Sequence, residues 1–170
     1  MKKHWSQIAK LPVKVSDESV DLGRINGVFI HPDSGQVIGF LAGLLKVLVP
    51  VDVRKWTTQQ VIITEEEALM PPMENYRIKD LGIRRAFFNS KRVKSKLGHY
   101  YGTIRDFQMD MTLNQLLTFE VSKRFLGIEW DKRQFEYRDI DHITDTRVIL
   151  SVEPEASKKA LNLRTSLTKS

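Results

Sequence analysis

The chain has 170 residues, 41% hydrophobic and 28% charged, enough apolar material for one ordinary domain or two small ones and too much for wholesale disorder. It contains no cysteine, which excludes disulfides, thiolate metal sites and cysteine nucleophiles. The net charge of +6 is local: the window from Arg77 to Lys96 holds eight basic residues against Asp80, and the rest of the chain is nearly neutral.

The opening MKKHWSQIAK has the basic start of a secretory signal but no apolar stretch behind it. The most apolar run, VIGFLAGLLKVLVPV at 37–51, carries Lys46 and Pro50 and is shorter than the roughly 20 residues a membrane helix needs. The expectation is a soluble, cytoplasmic protein with no membrane insertion. Short strands follow at 13–15, 24–30, 36–42, 46–49 and 60–64, rich in Val, Ile, Phe and Thr. The turn formers DESVD, HPDSGQ and RKWTTQ separate them. Pro71 and Pro72 then break the pattern, a short helix is expected within 74–85, and strands resume after Phe88.

The glycines of LGRINGVFIHPDSGQVIGFLAG, at 23, 27, 35, 39 and 43, raise the question of a phosphate-binding loop. A dinucleotide loop needs G-x-G-x-x-G between a strand and a helix, and a P-loop needs G-K-[ST]. Neither is present. The glycines serve a hairpin turn at Gly35 and bends or bulges elsewhere.

The chain is internally duplicated. At a shift of 79, Gly23-Arg24-Ile25 lies on Gly102-Thr103-Ile104, Val28 and Ile30 on Phe107 and Met109, and Val37, Ile38 and Phe40 on Leu116, Leu117 and Phe119. Gly35 falls on Asn114, and these are the two residue types that most readily take positive φ. Further along the shift is 87: Asp52-Val53 lies on Asp139-Ile140, Trp56-Thr57 on Ile143-Thr144, and Val61-Ile62-Ile63 on Val148-Ile149-Leu150. The second copy therefore has eight extra residues, expected within 122–138.

The segments GRINGVFIHPDSGQVIGF and VPVDVRKWTTQQVIIT resemble a PRC-barrel domain, the family of the cytoplasmic domain of the photosynthetic reaction-centre H subunit and of a ribosome maturation factor. LGHYYGTIRDFQMDMTLNQLLTFEV with FEYRDIDHITDTRVILSV resembles a second copy, with Asn114 for the turn glycine and Tyr137 where the first copy has Pro50. The resemblance implies an all-β fold of two tandem small PRC-barrel-like β-barrels. The first spans 1–72, a linker at 73–86 is basic at its C-terminal end, the second barrel spans 87–154, and a flexible tail covers 155–170. It implies an adaptor fold rather than a catalytic one.

Three clusters are candidate sites. Asp139, Asp141, His142 and Asp145 have ligand chemistry, but Asp139 repeats Asp52, whose neighbours Arg54 and Lys55 ligate nothing, so a turn or backbone cap explains it better. His4, His31, His99 and His142 are scattered and no G-x-S-x-G elbow occurs, so no catalytic residue, metal or cofactor is assigned. The basic residues Arg84, Arg85, Lys91, Arg92, Lys94 and Lys96, near Phe87, Phe88, Tyr100 and Tyr101, form a candidate patch for RNA or an acidic protein face. The extra hairpin carries Phe125, Leu126, Ile128 and Trp130, a candidate protein-docking surface if exposed and an inter-barrel contact if not. The leading expectation is a non-enzymatic binding or scaffold protein with an unknown protein partner. A cytoplasmic RNA- or ribosome-associated factor comes second and an uncharacterised enzyme third; a homodimer is left open.

Overall fold

A computed structural model describes residues 1–154. The tail at 155–170, expected to be flexible, lies outside the described residues. The first copy contains β1 (Lys2–His4), α1 (Trp5–Ile8), β2 (Val13–Lys14), β3 (Ile25–Ile30), β4 (Val37–Ala42), β5 (Lys46–Leu48), β6 (Val53–Trp56), β7 (Val61–Ile63) and β8 (Leu69–Met70). Two short helices, α2 (Tyr76–Leu81) and α3 (Ile83–Ala86), lead to the second copy. That copy contains β9 (Arg92–Ser95), β10 (Tyr100–Asp110), β11 (Gln115–Phe125), β12 (Ile128–Glu136), β13 (Ile140–Ile143) and β14 (Arg147–Leu150). The fold is mainly β, in three sheets, none of which closes on itself.

Strand registers repeat between the copies. In the first hairpin Ile25 pairs with Ala42, Gly27 with Leu41, Val28 with Phe40, Phe29 with Gly39 and Ile30 with Val37. Adding 79 to each number gives the register of β10 on β11, with bulges at the same two places. The parallel pairing of Val13 with Val61 recurs as Val93 with Val148, and Trp56 with Val61 recurs as Ile143 with Val148. Phe40 with Leu48 recurs as Phe119 with Phe135, which confines the eight-residue excess to the end of the β11–β12 hairpin. In the second copy β9 joins β10 in one sheet; in the first, Pro12 bridges Arg24, and backbone bonds from Lys10 to Ile25, Ile25 to Leu11, Val13 to Gly23 and Leu22 to Val13 hold the β2 segment beside β3. Pro12 stands where the second copy has Arg92, whose N–H donates to the Thr146 carbonyl on the β14 side.

The copies dock through their equivalent turns. Gln36 bridges Gln115, its own counterpart, while the Val37 amide donates to the Asn114 carbonyl (2.7 Å) and the Leu116 amide to the Gly35 carbonyl (2.9 Å). These reciprocal bonds make a local two-fold relation. Gly35 and Asn114 both have positive φ, 70° and 51°, as the tight turns require. Tyr137, where the first copy has Pro50, donates its hydroxyl to the Pro32 carbonyl at 3.1 Å. β1 crosses over to pair with β10. One buried cluster accordingly contains Val28 and Phe40 from the first copy and Phe88, Phe107 and Phe119 from the second.

A smaller cluster explains the linker. Phe29, Ile38 and Val47 point to the outer face of the first hairpin sheet, where Ile78 and Ala86 of the two helices cover them. Their counterparts at 108, 117 and 134 are Gln, Leu and Gln, so the second copy has no such apolar face to cover. Asn75 caps α2 by accepting from the Ile78 amide, and Gly82, at φ 83°, separates the two helices where a single helix was expected.

Candidate functional site: the extended hairpin and the arginine cleft

The excess residues prolong β11 and β12 into an arm beyond the shared core. Phe125 pairs with Ile128 across a two-residue turn, Leu126-Gly127, with φ of 48° and 80°. Both central residues at positive φ is the arrangement that favours Asn-Gly, and an ordinary L-residue held there costs roughly 1–2 kcal/mol. Leucine occupies the position nonetheless, and it is 85% exposed; Phe125 and Ile128 are each 70% exposed and Trp130 51%. The four side chains predicted as a docking surface are therefore brought together at one tip facing solvent.

Below the tip the arm is held by polar contacts. The Lys123 ammonium sits over the Trp130 ring at 5.1 Å and 3.2 Å from the Asp131 carboxylate. Hydrogen bonding from Lys123 keeps Asp131 below the usual carboxylate range, and the Ser122 hydroxyl, donating at 2.5 Å, does the same for Glu129. Lys123 thus fixes the indole by a cation–π contact and an ion pair at once.

The predicted basic patch divides. Lys91 is buried, at 4% exposure, and its ammonium donates to the carbonyls of Arg84, Thr144 and Asp145 at 2.7–2.8 Å. It ties α3 to the β13–β14 turn. Burial pushes its pKa down to about 8, against the attraction of the Asp145 charge. Arg85 donates to the Ile143 carbonyl and lies 3.6 Å from Asp33, and Lys96 lies 2.6 Å from Asp141. That ion pair, with His142 at 2.8 Å, holds Asp141 below its usual range and occupies the acidic cluster. Lys94 is half-buried in β9.

Arg84 and Arg92 remain free of carboxylates among the described residues, and the fold adds Arg147, which the sequence reading missed. The three line an open cleft of about 680 Å³ with Ile83, Phe87, Lys91 and Asp145. Arg147 could have been found from the repeat: if β2 lies parallel to β7, β9 must lie parallel to β14, and Arg92 then faces Arg147.

Among the described residues no group of three or more His, Cys, Asp or Glu is placed to hold a metal ion, and no helix is long and apolar enough to cross a membrane. No family model matches the chain, and no curated protein shows significant similarity to it.

Proposed function

We propose that the protein is a non-enzymatic adaptor, built on two PRC-barrel-like copies, that docks a partner protein through the tip of its β11–β12 arm. The observation that carries this reading is Leu126: it is exposed, it occupies a backbone conformation that disfavours it, and its side chain contributes little to the core. A turn selected for folding alone would carry asparagine. Phe125, Ile128 and Trp130 extend the same apolar tip, and Arg124, opposite Glu129 across the hairpin, flanks it. The fitting partner presents an apolar pocket with a polar rim. The first copy's matching turn is three residues long and bears exposed Leu44 and Leu45, but it lacks the aromatic anchors.

The test compares native co-purification of the wild type with Phe125→Ser and Trp130→Ser at moderate salt after RNase treatment. The expected result is one protein retained by the wild type, lost by both variants, with their far-UV spectra unchanged. Equal retention by the variants, or partition of the wild type onto lipid vesicles in place of a protein, contradicts the reading.

A further inference from the structure

We propose that the cleft between α3 and the β9–β14 strand pair binds the phosphate of a nucleotide, either free or within an RNA strand, through Arg84, Arg92 and Arg147. The parallel register sets Arg147 directly opposite Arg92, on the same face of the sheet. Like charges facing each other across a strand pair are destabilising. No carboxylate lies within ion-pair distance of either guanidinium, nor of Arg84, among the described residues. A bound phosphate anion offsets that repulsion.

The first copy shows that the fold does not need these charges. The positions matching Arg92 and Arg147 are Pro12 and Gln60, while Lys91 matches Leu11. The parallel strand pairing recurs there with no guanidinium at either position. The guanidinium pair is an addition confined to the second copy.

Phosphate suits the arrangement because planar guanidinium groups bind its oxygens in pairs. The volume of about 680 Å³ exceeds what a lone phosphate fills and lies in the range of small-molecule sites. Ile83 and Phe87 supply an apolar wall for a base, and Asn89, Ser90 and Thr146 supply neutral hydrogen-bonding groups. Asp145 is the one carboxylate in the lining, and it disfavours a fully anionic ligand over one with a neutral part.

The probes are AMP, followed by calorimetry, and a short fluorescein-labelled oligouridylate, followed by anisotropy, each at low salt and at about 0.15 M. The wild type is expected to bind at least one, and which of them binds more tightly identifies the source of the phosphate. Strand binding is expected to weaken with salt at a log–log slope of about −2, for three contacts. The triple variant Arg84→Gln, Arg92→Gln, Arg147→Gln should lose at least about tenfold in affinity, and Lys46→Gln, on the far copy, should lose none. Arg147→Gln alone should leave the melting temperature of the free protein unchanged or higher, since it removes a repulsion. Absence of binding by both probes at low salt, undiminished binding by the triple variant, or a marked fall in melting temperature for Arg147→Gln overturns the proposal.

Discussion

Replacing Leu126 by asparagine separates what the arm does for folding from what it does for binding. Leu126 has φ 48° and is 85% exposed. The left-handed conformation costs an ordinary residue roughly 1–2 kcal/mol, most of which asparagine avoids. Against this stands the loss of buried leucine surface. With about 2 kcal/mol for a fully buried leucine and only a small part of this one covered, the loss is about 0.3 kcal/mol. Leu126→Asn should therefore stabilise the protein by about 1 kcal/mol, or about 2–4 °C in melting temperature for a chain of this size. Urea denaturation and thermal melts followed by circular dichroism measure both quantities. The same variant should bind the partner more weakly, because it deletes the most exposed apolar group of the tip. A lower melting temperature, or partner affinity equal to wild type, would refute the assignment of Leu126 to binding.

Other outcomes follow from the fold. Gly102→Ala should cost more than about 3 kcal/mol, because φ is 126° and a Cβ would sit 2.2 Å from the Ser122 carbonyl oxygen; Gly98→Ala, also at positive φ but in open space, should cost about 1 kcal/mol in the same denaturation assay. Tyr137→Phe removes the hydroxyl that reaches Pro32 and should cost about 1 kcal/mol in the same assay. Lys91, with its pKa lowered to about 8 from 10.5, binds fewer protons folded than unfolded between those values, so stability measured relative to Lys91→Met should rise with pH across that window. At about 1.4 kcal/mol per pH unit the rise is at most about 3 kcal/mol, and a fall in urea midpoint relative to Lys91→Met between pH 8 and 10 would contradict it.

The duplication was legible because apolar residues keep their spacing where a register must be kept: Val28 opposite Phe40 and Phe107 opposite Phe119 are core pairs. Gly35 and Asn114 marked their turns for the same reason, a required positive φ. The docking of those two turns on each other was not legible, since its backbone bonds run between Val37 and Asn114 and between Leu116 and Gly35, and backbone groups leave no pattern in side chains. Pairing of β1 with β10 was hidden likewise, in the charged MKKH. Lys91 misled for the opposite reason: lysine is almost never fully buried unless paired, and its three partners are carbonyls that any residue could supply. The exposed tip at Phe125, Leu126, Ile128 and Trp130 was foreseen as one of two outcomes, and only the hairpin's reach beyond the core separated them.

The most direct measurement places a photo-crosslinking amino acid at position 126 and, separately, at position 113, where Leu113 is an exposed leucine in a turn outside the arm. After irradiation in cells, an adaptor that docks through its arm gives one discrete crosslinked protein from position 126. That product is missing from position 113 and is suppressed when Phe125→Ser is added. The same products from both positions, or none from position 126, would contradict docking through the arm.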